Sequence, residues 1–431
     1  MKQQRWLRGF AVLAVAAIGV AACGGDDDDS ASETSGDATS TTKGAAPKGD
    51  GTLKFGTLLP QTGGLDFLGP PMFNGVRLAV KEINEAGGVL GKDIELIERD
   101  DGTDPDVANA AADELLSENV DVVVGAAASS VTLAVIDKLT GEPVVECSSS
   151  NTGLQFTNYD DNGYYFRTAP PDNLQSQVLA DLMVGDGVES AVIVARSDEY
   201  GEGFANALKD ELEAAGVTVA DPILYDPEAG NYQAEAQQLS DADGAVALIS
   251  FAEGGQVITS AIAAGQGPAD REWYGVDGIA DSSFYKEVDA NNPAVVEGIR
   301  GTVVAYEPES GENTFAERFK AFAPPDTGQT YAATSYDCVA IPALAAIAAE
   351  SDSPEAIAAE MNGVTKDGTE CSLFRECAQL LADGENIDYL GASGLLEFID
   401  AGEPGIGEYQ TWEFGPDGAL NVLEASIQVG G

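Results

Sequence analysis

Residues 120–138, VDVVVGAAASSVTLAVIDK, constrain the architecture of this chain more than any other stretch. A short valine-rich run reads as a buried strand, Gly125 and three alanines form a tight turn without bulky side chains, and Ser129 opens an amphipathic helix. At such a helix start the first backbone N–H groups have no intrahelical partner and the helix dipole is positive, so the turn suits a small anion such as a carboxylate. Ser129 and Ser130 place hydroxyls there. Serine is also a favoured helix cap, and taken alone Ser129 or Ser130 reads as a cap rather than as a ligand contact.

The rest of the chain repeats this alternation. Residues 52–59 read as a strand, and residues 73–86 as a helix with Val76, Ala79, Val80 and Ile83 on one face and Gly87 and Gly88 closing it. Residues 93–98 form a second strand and residues 104–118 a helix. After the central unit, residues 142–146 make a short strand that runs into Cys147, Ser148, Ser149 and Ser150. Strands alternating with helices imply a parallel sheet with right-handed crossovers, in which ligands sit beyond the carboxyl ends of the strands. That rule puts Ser129 and the cluster Ser148, Ser149 and Ser150 on one rim. The pattern then restarts, with helices at 173–184, 203–215 and 256–264 and strands at 190–195, 245–251 and 273–276. Tyr200 and Asp277 stand just past strand ends of this second set. On local grounds Tyr200 reads as a packing residue and Asp277 as a turn residue.

Size and charge narrow the possibilities. A chain of 431 residues exceeds what one hydrophobic core usually supports, so two lobes are expected. A net charge of −52, from 73 acidic and 21 basic residues, repels nucleic acid and anionic membrane surfaces alike. The sequence has no histidine, which excludes serine–histidine hydrolysis and removes the commonest transition-metal ligand. It shows no phosphate-binding glycine loop and no nucleophile elbow, so neither a cofactor nor an enzymatic reaction is expected. Asn158, Asp160, Asn162 and Gly163 resemble the start of a calcium loop, but Ala169 stands where its closing glutamate belongs, and the segment reads as an acidic turn.

The N-terminus carries Lys2, Arg5 and Arg8 ahead of an apolar run at residues 9–22. The run is shorter than the roughly 20 residues that span a bilayer, and its charge order is that of an export signal. It ends in Val20, Ala21, Ala22 and Cys23, which resembles the bacterial lipobox, in which the cysteine is lipidated and becomes the new N-terminus. Residues 24–51 are Gly, Asp, Ser, Thr and Ala with almost no large apolar side chain, and read as a disordered tether.

From residue 52 to about 423 the chain resembles the branched-chain amino acid binding proteins, the type I solute-binding components of ABC importers. The residues that carry the resemblance are MFNGVRLAVKEINEAGGVLGKDIEL, ERDDGTDP, the VVVGAAASS turn, SDEYGEG and YGVDG. It implies an α/β fold of two doubly wound parallel-sheet lobes, joined by three crossings and closing on a ligand as a trap. Lobe 1 is then 52–168 with 305–407, and lobe 2 is 169–304 with 408–431. It also implies that hydroxyls and N–H groups of the first lobe hold a ligand carboxylate and an acid of the second lobe holds its ammonium. By motif, Ser129 and Ser150 match the hydroxyl positions, Tyr200 the second-lobe tyrosine, and Asp277 a position that the amino acid binders commonly fill with glutamate. Leu68, beside Gly69, and Phe251 match apolar wall positions.

The implied role is an extracytoplasmic, lipid-anchored, monomeric receptor that hands a small aliphatic or aromatic amino acid to importer permease subunits. Receptors for amides or other small carboxylates, and extracellular ligand-sensing domains, share the same frame. An exported protein favours disulfides. Cys371 and Cys377 are close enough in sequence to close a small loop, which leaves Cys147 and Cys338 to pair with each other.

Overall fold

The computed structural model describes residues 49–305, 314–325 and 327–431. The export signal, Cys23 and the tether up to residue 48 lie outside the described residues.

The first sheet holds β1 (Lys54–Leu59), β2 (Glu95–Asp100), β3 (Val122–Gly125), β4 (Val145–Ser148) and β5 (Tyr165–Arg167), in the order β2-β1-β3-β4-β5 and parallel throughout. All four residues of β3 are buried, which is why the valine run shows no alternation: helices cover both faces of a parallel sheet. Two strand positions differ from the sequence reading. β2 lies two residues further on, because all six residues of β1 pair with it. β4 includes Cys147 and Ser148, so only Ser149 and Ser150 are free to enter the loop. The Ser148 hydroxyl is paired just past the end of β3, donating to the Ala126 carbonyl at 2.8 Å.

The second sheet comprises β6 (Ser190–Arg196), β7 (Thr218–Val219), β8 (Ile223–Tyr225), β9 (Ala245–Ile249), β10 (Trp273–Gly275) and β11 (Arg300–Val304). After a small pair, β12 (Thr369–Cys371) and β13 (Ile387–Tyr389), the last strands β14 (Ile406–Phe414) and β15 (Leu420–Gly430) join the second sheet antiparallel, giving the order β15-β14-β11-β10-β9-β6-β7. The strand period of two divides its core. Ala191, Ile193 and Ala195 of β6 enter one apolar cluster, whereas Val192 and Val194 enter another with Trp273 and Trp412.

The chain passes between the sheets after β5, after β11 and before β14. The returning helix Ala332–Ala348 packs against helix Gly69–Ala86 so closely that a Cβ on Gly75 would lie 2.2 Å from the Ala332 carbonyl oxygen. Both disulfides are present: Cys147–Cys338 ties β4 to that helix with 5.6 Å between Cα atoms, and Cys371–Cys377 closes its short loop at 5.4 Å. Residues 158–163 form a turn in which Gly163 N–H donates to Asp161 Oδ1 at 2.7 Å, and no cluster of metal-ligating side chains occurs among the described residues. Among them, too, no helix is long and apolar enough to cross a membrane.

Candidate functional site

β3 ends at Gly125, whose φ of +128° lies in the region that favours glycine, and a Cβ there would sit 1.9 Å from the Leu58 carbonyl oxygen. The alanine turn that follows is fixed by donors around it. Ala127 N–H donates to Asp101 Oδ2 at 3.0 Å, Ser150 Oγ donates to the Ala127 carbonyl at 3.0 Å, and Asn151 Nδ2 reaches the Ala126 and Ala127 carbonyls at 3.1 and 2.8 Å. Helix Ser129–Gly141 then begins without a side-chain cap, because its cap position is Ala128. The capping role read for Ser129 and Ser130 is therefore absent. Ser129 is buried as the first helical residue, and its Oγ accepts Gly153 N–H at 3.3 Å.

On the second lobe, Tyr200 lies in the first turn of helix Glu199–Ala214 rather than in the preceding loop, since Asp198 caps the helix by accepting Gly201 N–H at 2.9 Å. Its ring stacks on Phe251 at 5.4 Å, and the guanidinium of Arg196 covers Phe251 at 3.7 Å from its centroid. Asp277, 6 % exposed, accepts three side-chain donors: Gln175 Nε2 at 3.2 Å and Tyr200 Oη at 3.3 Å on Oδ1, and Tyr331 Oη at 2.8 Å on Oδ2. Burial raises its pKa above the ordinary aspartate value, opposed by those hydrogen bonds. Asp172, at the start of helix Asp172–Gly185, is fully buried, and burial raises its carboxyl well above the usual range.

Ser129, Ser150, Tyr200, Phe251 and Asp277 face one cavity of about 290 Å³, its open mouth included. The first lobe lines it with Leu65, Leu68, Ala127, Ala128, Ser129, Ser150, Thr152 and Tyr331, and the second with Tyr200, Phe251, Asp277 and Gly278. Six of the eight residues proposed from sequence as ligand contacts thus meet at one cavity. Ser130 and Ser149 do not line it. Ser130 is one residue further along the helix and so points about 100° away from Ser129, and Ser149 is buried against the returning helix, accepting from Ser335 Oγ at 2.9 Å. Tyr331, Thr152 and Leu65 were not anticipated. Thr152 had the only local signal, as the next hydroxyl after Ser150. A separate and larger cavity, about 660 Å³, lies beside the crossings, where Pro170, Val304 and Ile406 line it.

Asp101, which fixes the alanine turn, has its pKa raised to about 6 by burial, against backbone hydrogen bonds from Ala127 and Thr103 and with Asp100 adding to the rise. Asp337, held by Ser393, Tyr389 and the Ala392 and Ser393 N–H groups, is likewise raised to about 6 by burial. Both folded values exceed the unfolded one near 4, so between about pH 4 and 6 the folded state binds more protons and stability rises as pH falls. Each group can contribute about 2 to 3 kcal/mol, and titrating other carboxylates relieves self-repulsion in the same direction. The melting temperature is expected to be higher at pH 5 than at pH 7.5. A melting temperature that drops steadily as the pH is lowered from 7.5 to 5 would contradict this placement of the two acids.

The profile of the periplasmic binding protein family matches residues 52–388. The chain belongs to that family. The two lobes, the three crossings and the cleft between the strand ends are those of its type I members, which are solute-binding proteins and not enzymes. Relatives of this periplasmic binding protein include the leucine-, isoleucine-, valine-, threonine- and alanine-binding protein of Pseudomonas aeruginosa, 28% identical over 322 residues and covering 73% of this chain and 83% of the relative. Among solved structures, the branched-chain amino acid transporter substrate-binding protein of Streptococcus pneumoniae in complex with isoleucine superposes with a TM-score of 0.70 at 20% identity, over 86% of this chain and 99% of that one. A solute-binding protein of R. palustris in complex with 4-hydroxybenzoate gives 0.69 at 18% identity, over 87% and 97%.

Proposed function

We propose that this periplasmic binding protein captures a small α-amino acid, branched-chain or of similar aliphatic or aromatic character, and delivers it to an ABC importer. The observation that carries the reading is the polarity of the cavity. A helix N-terminus and the hydroxyls of Ser129 and Ser150 line one side, a buried acid, Asp277, stands on the other, and Leu65, Leu68 and Phe251 supply apolar wall. That arrangement complements a carboxylate, an ammonium and an apolar side chain at once. The volume suits a small ligand. A binder stabilises the closed protein by mass action, about 2.7 kcal/mol at 100 times its dissociation constant. A melting-shift screen of the common amino acids tests the reading: one or a few are expected to raise the melting temperature, and no shift with any of them would refute it.

A second reading, a receptor for aromatic carboxylates without an ammonium, is favoured by the three protein donors that already occupy Asp277. The R. palustris relative was solved with such a compound.

The protein is further proposed to act as a monomer held at the outer face of the cell membrane by a lipid on Cys23, on the strength of the VAAC sequence and the apolar, Gly/Asp/Ser/Thr-rich segments around it. Cys23→Ala is expected to leave ligand binding unchanged and to move the protein from the membrane fraction to the soluble one, since a single acylated N-terminus carries the attachment. Unchanged partition would remove the lipobox.

A further inference from the structure

The acid that would hold the ligand's ammonium is bridged across the cleft by the protein itself. Gln175 and Tyr200 reach Asp277 Oδ1 from the second lobe, at 3.2 and 3.3 Å. Oδ2 takes Tyr331 Oη at 2.8 Å, and Tyr331 belongs to the first lobe, immediately ahead of helix Ala332–Ala348. The phenol is 1 % exposed. Tyr331 has a φ of +58°, a left-handed conformation that a residue of this bulk holds only where its surroundings enforce it. The enforcement is visible. The helix that follows is tied to β4 by Cys147–Cys338, hydrogen-bonded to the serine loop through Ser335 and Ser149, and pressed against Gly75.

Resting on the reading above, in which the ligand's carboxylate lies at Ser129 and Ser150, we propose that Tyr331 is a specificity-determining residue that competes with the ligand's ammonium for Asp277 and ties the two lobes together. A ligand anchored on the first lobe reaches Asp277 from the side that Tyr331 occupies, where the phenol is the one side-chain donor on Oδ2 among the described residues, and not from the second-lobe side, where Oδ1 already accepts two donors. An ammonium must displace the phenol. A carboxylate ligand without an ammonium leaves the phenol in place, and the buried acid stays paired. The bond runs from a neutral donor on one lobe to a buried acid on the other, so parting the lobes to admit a ligand requires that it break.

Tyr331→Phe removes the hydroxyl and nothing else. The probes are L-leucine and 4-methylpentanoate, which is leucine without its amino group, measured by calorimetry on wild type and variant, together with small-angle scattering of both proteins without ligand. The proposal expects leucine to bind roughly tenfold more tightly or better, the scale of one hydrogen bond to a charged acceptor. It expects 4-methylpentanoate to gain much less or to lose affinity, and the unliganded variant to have the larger radius of gyration. Equal gains for both compounds, or a leucine affinity unchanged or reduced, would overturn it. If neither compound binds the wild type, it is the amino acid reading of the site that fails. Scattering then decides alone: an unliganded variant no more open than wild type overturns the proposal, and a more open one upholds the bond across the cleft.

Discussion

Asp277→Asn is expected to weaken binding of an amino acid by roughly 2 to 4 kcal/mol, the scale of breaking a hydrogen-bonded buried charge pair. When the lobes close, the ligand's ammonium loses its water, and an unpaired charge in so buried a place costs more than the remaining contacts return. Asp277 is the carboxylate that lines the cavity opposite Ser129 and Ser150. Asparagine keeps the size, can still accept from Tyr331, Gln175 or Tyr200, and removes only the charge. The loss is net of a second effect, because the substitution also weakens the competing bond from Tyr331. Calorimetry against one amino acid and its deaminated analogue separates the charge from the shape: the analogue is expected to lose much less. Equal affinity of variant and wild type for the amino acid would make Asp277 a turn residue.

Arg167→Met is expected to cost about 3 to 5 kcal/mol of stability, the penalty for leaving one member of a buried ion pair alone. Arg167 and Glu403 are 1 % and 3 % exposed, and both the Nε and Nη2 atoms of Arg167 donate to Glu403 Oε2, Nε at 2.8 Å. The same guanidinium reaches the Asn151 and Gly153 carbonyls at 3.2 and 2.8 Å and Thr157 Oγ1 at 3.2 Å. It therefore joins β5, the loop behind the serines, and the segment that leads into β14. Its loss strands Glu403 and three backbone or hydroxyl acceptors in the interior. Guanidinium denaturation of Arg167→Met and of the double variant Arg167→Met/Glu403→Leu measures both parts. The double variant is expected to recover part of the loss, since it removes the stranded charge. A loss below about 1 kcal/mol in the single variant would place the pair among exposed ion pairs.

The fold was legible because the signals that specify it are local. The valine run of β3, the glycine after it and the helix after that state a strand, a turn and a helix in 19 consecutive residues of sequence. The alternation that repeats on both sides supplies the two sheets. What sequence misjudged follows from direction and from the crossing of the chain. Ser129 and Ser130 are neighbours in sequence, yet a helix turns them apart, and only the first reaches the cavity. A run of three serines after Cys147 looks like a loop, but a fully buried strand tolerates Ser148 because the hydroxyl finds the Ala126 carbonyl in the turn after the neighbouring strand. Tyr331 was invisible for a different reason. It is brought to Asp277 from 54 residues away by the second passage of the chain between the lobes, and nothing in its own neighbourhood, QTYAATS, marks a contact across a cleft. Asp172 opens a helix without marking itself as anything but an ordinary first-turn acid, and only the structure shows that it is fully buried.

The most direct test of the two-lobed trap is mass spectrometry of the small molecule released when the protein, purified without added ligand, is denatured. A single low-mass α-amino acid in near-stoichiometric amount, absent from a parallel preparation of Asp277→Asn, is the expected result. Release of an aromatic or aliphatic acid without an amino group, retained equally by the Asp277→Asn protein, would contradict the amino acid reading and leave Asp277 with a structural role.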